Sequence, residues 1–346
     1  MSLTYRAVNW NPHKKRYDLI LTIGVLAYIV GFVVLGTALA PPDRAVSPPI
    51  LIMRAAGTCA IVLLHVILLI GPLARLDTRF APLLYNRRHL GVTFFLVCFV
   101  HAFVAIGFYG AFGPRNPVLA VVGGYDGAFE LLGFAALAIF FLMAATSHDF
   151  WLANLSPRWW KALHMLVYVA YALVIAHVAL GALQSETHPI FAALLGFGIV
   201  LVTLAHLAAG LSSWGRDAAN ARTPLESGWI DAGSAIDIQD TRAVTVRLPS
   251  GKGVAIYRDG DSICAISSVC AHQGGPLGEG KIIDGCVTCP WHGYQYRADN
   301  GQSPPPYEEK LATYNLRIEG ERIMLDPTPN EPGTPTTPVT MTGGGA

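Results

Sequence analysis

Charge is scarce in this chain. Only 14% of its 346 residues are Asp, Glu, Lys or Arg, and 24 basic residues against 23 acidic ones leave a net charge of +1. So even a balance gives no basic excess for holding nucleic acid, and no nucleic-acid partner is expected. Nucleotide signatures are missing too. No Walker loop and no G-x-G-x-x-G between a strand and a helix occurs, which excludes a nucleotide or flavin domain of those kinds. Cysteine is limited to six. Of these, Cys59 and Cys98 lie in apolar runs and read as small packing residues. Cys264 and Cys286 fall in a segment expected on the reducing side of a membrane, where disulfides are not kept.

Apolar residues fill the space that charge leaves. They make up 53% of the chain, with a mean hydropathy of +0.44, too apolar for two ordinary soluble domains. Six runs qualify as spans: Leu19 to Ala40, Ala55 to Ala74, Leu90 to Phe112, Leu131 to Ser147, Leu163 to Leu183, and Pro189 to Leu211. Roughly 20 helical residues cross a hydrocarbon core of about 30 Å.

Basic residues near span ends stay in the cytoplasm. Arg6, Lys14, Lys15, Arg16, Arg75, Arg79, Arg87, Arg88, Arg158, Lys161, Arg216 and Arg222 fall on one side, against Arg44, Arg115 and Arg54 on the other. Both termini are therefore expected in the cytoplasm of a bacterial-type inner membrane. Ala38-Leu39-Ala40 resembles a signal-peptide cleavage site, but the apolar run and the arm before it are long for one.

After Trp214 the pattern changes to short alternating strands, as in "AVTVRLPSGKGVAIYRDGDSICAIS" and "TYNLRIEGERIML". Between them stand C-x-H at Cys270 and His272 and C-x-x-H at Cys289 and His292. Two thiolates and two imidazoles from two loops suit a [2Fe-2S] cluster with the thiolates on one iron and the imidazoles on the other. A structural zinc site uses the same residue types. The loop "CAHQGGPLGEG" and the string "CPWHGYQY" weigh for the cluster.

Those strings resemble the Rieske family over roughly 228–327, and within it the ferredoxin components of ring-hydroxylating oxygenases. Respiratory members add a disulfide where Gly275 and Trp291 stand here, and carry a hydroxyl donor where Tyr294 stands, while Tyr296 is kept. Hydrogen bonds to cluster sulfurs raise the potential. The resemblance therefore implies a potential on the low side of the Rieske range.

A histidine in lipid needs a reason. His89 and His164 sit at the inner ends of spans three and five, with His101 and His177 respectively 12 and 13 residues deeper. At about 1.5 Å per residue these offsets are roughly 18 and 20 Å, two matched levels suited to stacked b-type haems. His89 is turned about 120° from His101 on a straight helix. His65 lies near the depth of His101 and is a rival ligand, whereas His148, His188 and His206 sit near span ends, where water or headgroups satisfy them.

"GPLARLDTRFAPLLYNRRHLGVTFFLVCFVH" and "KALHMLVYVAYALVIAH" resemble the ferric-reductase-like transmembrane domain, close to haem-binding membrane subunits of methionine sulfoxide reductase systems. That resemblance implies His101 and His177 at an outer haem and His164 at an inner one, with Arg87 at the other inner position and His89 two residues on.

The expected fold is a membrane all-α six-helix haem bundle over 1–214, a linker over 215–227, a small all-β Rieske domain over 228–327 and a disordered Pro/Thr/Gly tail over 328–346. The implied role is one-electron transfer between a cytosolic cluster and membrane haem. A separate cytosolic flavin or NAD(P)H reductase, or a ferredoxin, would load the cluster, and a membrane or periplasmic acceptor would be served. A membrane-anchored Rieske ferredoxin or a redox sensor is the alternative.

Overall fold

The computed structural model describes residues 12–40, 46–80, 83–84, 86–108, 129–147, 157–185, 188–220, 222–272, 274–290, 293–305 and 307–341. Residues 109–128, from the end of the third expected span to just before the fourth, lie outside them. Cα packing divides the chain into two compact units at residues 209 and 210.

The first unit is helical: α1 (Pro12–Ala38), α2 (Pro48–Leu76), α3 (Arg87–Phe108), α4 (Phe129–Ala145), α5 (Pro157–Met165), α6 (Val167–Leu180), a single turn at Ala182–Ser185, and α7 (Pro189–Asn220), whose residues from 210 on fall in the second unit. Proline opens α1, α2, α5 and α7, where its missing N–H costs nothing and its fixed φ favours the first turn. With α5 and α6 forming one span, the described residues contain six helical crossings. Five are long enough on their own, and α4 is the short one at 17 residues.

Their centre is packed with Leu64, Leu68, Phe94, Phe140, Ala136 and Ala170. Small residues at Ala55, Ala56 and Ala170, all fully buried, let the backbones approach, as helix contacts in lipid require. Phe94 and Phe140 meet edge to face at 4.8 Å. Large apolar side chains such as Leu19, Ile20, Val30 and Leu204 point outward, because lipid is their solvent.

Two boundaries differ from expectation. The fifth span is interrupted at Leu166, where the backbone tightens through Leu166 N–H donating to Leu163 C=O at 3.1 Å. The sixth continues to Asn220, past the expected end at Leu211, since "RDAAN" holds no helix breaker.

The second unit is a β-domain: β1 (Ile230–Ser234), β2 (Ala243–Arg247), β3 (Gly253–Asp259), β4 (Ser262–Ser267), β5 (Lys281–Ile283), β6 (Cys286–Thr288), β7 (Gln295–Arg297), β8 (Thr313–Glu319), β9 (Arg322–Pro329) and β10 (Val339–Thr340). The larger sheet runs β1-β9-β8-β4-β3-β2, and the smaller runs β5-β6-β7. Ile230, Ile256, Ile263 and Leu325 fill one core, and Tyr257, Ile266, Leu277 and Tyr296 fill the other, beneath the cysteine loops.

The tail corrects an expectation. Up to Met341 it is ordered against the sheet rather than disordered. Asn330, Gly333 and Thr336 donate N–H to Thr313, Leu311 and Asp299 at 2.9, 3.0 and 2.8 Å. β10 then pairs with β4 through Val339 opposite Ile263. Pro, Thr and Gly cannot build a core, but β8 covers β4 only at Ala265 and Ile266, and the tail's amides satisfy the rest of that edge.

Candidate metal centres

Two loops of the β-domain repeat one backbone design. Cys270 donates its N–H to Gly275 C=O at 2.9 Å and accepts from Gly274 N–H at 2.8 Å. Cys289 donates to Tyr294 C=O at 2.8 Å and accepts from Gly293 N–H at 3.0 Å. In each loop the glycine four residues on has positive φ, +73° at Gly274 and +71° at Gly293, which a side chain would resist. Both thiols are buried at 2% exposure.

Tyr296, fully buried, places its hydroxyl 3.3 Å from Cys270 Sγ and accepts the His272 N–H at 3.2 Å. Burial and the neighbouring Cys270 sulfur push this phenol far above its ordinary range, so it stays a proton donor. His272 stacks flat on Tyr294 at 4.5 Å and 8°, and the Tyr294 hydroxyl donates to the Glu309 carboxylate.

The structure thus places Cys270, His272 and Cys289 around one tyrosine pair, whereas His292 lies outside the described residues. Among those described, no three His, Cys, Asp or Glu side chains form a complete metal cage. Matched cysteine loops, a phenol aimed at sulfur and the mixed donor set fit a cluster bridging both loops. Cys264 and Cys286 are buried beside this region, and burial pushes the Cys264 thiol up to about 12.

In the helical unit, His101 and His177 come together. Their ring centroids are 6.2 Å apart with planes at 84°. His101 Nδ1 donates to Met53 C=O on α2 at 2.9 Å, and His177 Nδ1 donates to Phe129 C=O on α4 at 2.7 Å. A carbonyl only accepts, so each Nδ1 carries the proton and each Nε2 keeps a bare lone pair, the form that binds metal. Two metal–imidazole bonds of about 2 Å, plus about 1 Å from each nitrogen to its ring centre, add to about 6 Å, which matches the separation. These residues fit an iron between them.

His164 Nδ1 is 3.0 Å from Trp160 C=O, while its Nε2 is buried with no hydrogen-bond partner among the described residues. Trp160 stacks on the ring at 3.7 Å. His89 Nδ1 lies 2.9 Å from the Asp18 carboxylate of α1. With α3 unbroken, His89 faces α1 while His101 faces α2, as the turn of about 120° requires. The structure therefore joins His101 to His177, but the contacts of His89 run to Asp18 rather than to His164.

The rival histidines differ. His65 presents Nε2 to the Tyr171 hydroxyl at 3.0 Å, and His206 presents Nε2 to Tyr168 at 3.1 Å. His188 Nδ1 accepts the Ile190 N–H at 3.3 Å, and His148 lies outside the described residues.

Sequence reasoning missed Asp18, Glu309 and the carbonyls of Met53 and Phe129. Glycines inside two apolar helices, Gly57 and Gly133, were the available signal, because an interior glycine often marks close packing.

Fold and sites define a membrane-spanning helical bundle followed by a β-domain with a two-loop cysteine–histidine centre. The Rieske [2Fe-2S] domain matches residues 228–315, and the ferric reductase like transmembrane component matches residues 56–175. The ferredoxin component of the naphthalene 1,2-dioxygenase system from Pseudomonas aeruginosa is 31% identical over 28% of this chain and 94% of its own. The protein-methionine-sulfoxide reductase heme-binding subunit MsrQ of Ralstonia nicotianae is 31% identical over 48% of this chain and 74% of its own. Among solved structures, the ferredoxin of carbazole 1,9a-dioxygenase from Nocardioides aromaticivorans IC177 is similar at 22% identity and TM-score 0.27, over 29% of this chain and 98% of its own.

The chain belongs to the ferric-reductase-like transmembrane family in its helical part and to the Rieske [2Fe-2S] family in its β-domain. It is a multi-pass membrane protein with a redox electron-transfer role, working within a lipid bilayer and with redox partners.

Proposed function

We propose that this protein passes single electrons between a cytosolic Rieske [2Fe-2S] cluster and b-type haem in the membrane, toward a membrane or periplasmic acceptor. Cys270, His272, Cys289 and His292 hold the cluster. His101 and His177 hold the outer haem; His164 belongs to the inner level, where the second ligand is left open among Arg87, His65 and His89, the last held by Asp18. The setting is a bacterial-type inner membrane with both termini cytoplasmic. The chain divides into a haem bundle over 1–214, a linker over 215–227 into which the last helix extends as far as Asn220, and the Rieske domain over 228–327. A separate cytosolic flavin or NAD(P)H reductase, or a ferredoxin, supplies the electrons.

The observation that carries this reading is the His101–His177 pair, with both Nδ1 atoms tied to carbonyls and the rings 6.2 Å apart. When bound, both groups exchange one electron at a time without taking up a substrate. The chain's own residues set the terms. Met53 and Phe129 fix the tautomer and orientation of the two half-buried imidazoles. Tyr296 donates toward Cys270 Sγ, and Tyr294 holds the His272 ring in one plane.

The test is a visible and EPR spectrum of the purified, dithionite-reduced protein, with iron and haem counted per chain. A rhombic Rieske signal with low-spin b-haem bands is expected. A cluster without haem would leave the helical unit as an anchor and overturn the proposal.

A further inference from the structure

The two imidazoles are cradled in the same way. On α2, Met53 C=O accepts from His101, and the residue four further on is Gly57. On α4, Phe129 C=O accepts from His177, and the residue four further on is Gly133. In an α-helix the carbonyl of residue i already receives the N–H of residue i+4, so each imidazole adds a second donor to a carbonyl beside that glycine. A side chain there would fill the ring's place. A Cβ at Gly57 would stand 3.1 Å from His101 Cε1 and Nδ1, and one at Gly133 would stand 2.8 Å from His177 Nδ1 and 2.9 Å from Cε1. Neither ring can back away without lengthening the bond to its carbonyl.

We propose that Gly57 and Gly133 are positioning residues for the iron between His101 and His177: each leaves the space in which an axial imidazole lies against the helix, hydrogen-bonded to the carbonyl one turn earlier. The inference rests on the reading of that pair as haem ligands. It assigns a role to two residues with no reactive group, and it accounts for glycine at two helix-interior positions where alanine is the better helix former.

A control lies in the same bundle. A Cβ at Gly198 would come within 2.2 Å of His65 Cε1, a tighter encounter, but with a histidine whose Nε2 is held by Tyr171. Among the described residues, nothing lies within 4 Å of a Cβ at Gly24.

The experiment compares full-length wild type with Gly57→Ala, Gly133→Ala, Gly198→Ala and Gly24→Ala in membranes and after purification, reading haem per chain and the low-spin EPR signal. With the imidazole planes at 84°, the wild type is expected to give an anisotropic low-spin signal. Gly57→Ala and Gly133→Ala are expected to shift it and to weaken haem retention by about 10-fold or more, the usual cost of losing a group that orients a metal ligand. Gly198→Ala and Gly24→Ala are expected to match wild type.

Wild-type haem content and signal in both cradle variants would overturn the proposal and leave the haem reading intact. Equal loss in Gly198→Ala would overturn it in favour of general packing. Failure of both cradle variants to accumulate while Gly198→Ala accumulates would also overturn it, because the glycines would then serve folding. A wild type without haem would remove the reading beneath it instead.

Discussion

His101 and His177, 76 residues apart in sequence, meet with ring centroids 6.2 Å apart and planes at 84°, each fixed through Nδ1 to a carbonyl of a different neighbouring helix. Four helices thus converge on one point in the bundle: α3 and α6 bring the rings, and α2 and α4 aim them. Replacing either histidine by alanine removes one of two axial ligands. Each single variant is expected to lose the low-spin haem signal of this pair while the Rieske EPR signal per chain is unchanged. Visible and EPR spectra of the two variants provide the check.

His65 is the discriminating case, because it has the right depth and an imidazole but the wrong partner. Its Nε2 meets the Tyr171 hydroxyl, so the nitrogen that a metal would need is engaged. His65→Gln and Tyr171→Phe are expected to leave haem content and EPR signal as in wild type. The cost falls on stability instead, about 1 kcal/mol for one lost hydrogen bond. Loss of haem in either variant would reassign the ligand.

At the cluster, Tyr296 stands 3.3 Å from Cys270 Sγ. A donor at sulfur favours the more negative, reduced state, so Tyr296→Phe is expected to lower the potential. A differential of about 1 kcal/mol, typical of one hydrogen bond, is about 40 mV for one electron. A redox titration of purified variant and wild type measures it, and an unchanged potential would remove Tyr296 from the tuning of the centre.

Cys264 offers a check on the core beneath the loops. Its thiol is pushed up to about 12 by burial in β4. A raised thiol pKa means the reactive thiolate appears only as pH climbs toward that value; at pH 8 about one molecule in 10,000 carries it. Alkylation of Cys264 in the folded protein is expected to be negligible at pH 8 and to proceed after denaturation, read by peptide mass spectrometry.

The sequence made the spans legible because lipid demands long apolar runs. It made the cluster legible because C-x-H and C-x-x-H spell out side chains that bind metal. The aiming of the histidines was hidden for a physical reason: the acceptors are carbonyls of Met53 and Phe129, and every residue has one. Asp18 went unnoticed because its importance comes from α1 lying beside α3, a contact no local pattern encodes. The tail was misread because its composition forbids a core of its own, while the open edge of β4 that orders it is formed some 70 residues earlier.

Passage of single electrons between the cluster and the haem is the step that distinguishes a wire from an anchor. Its most direct measurement is a rapid one-electron reduction of the purified protein, following the Rieske EPR signal in frozen samples and the haem bands in parallel. The cluster signal is expected to decay as the haem bands of reduction rise, with matching rates, and Cys270→Ser is expected to abolish that coupled phase. Two signals that rise and fall independently, or haem reduction unchanged in Cys270→Ser, would contradict it.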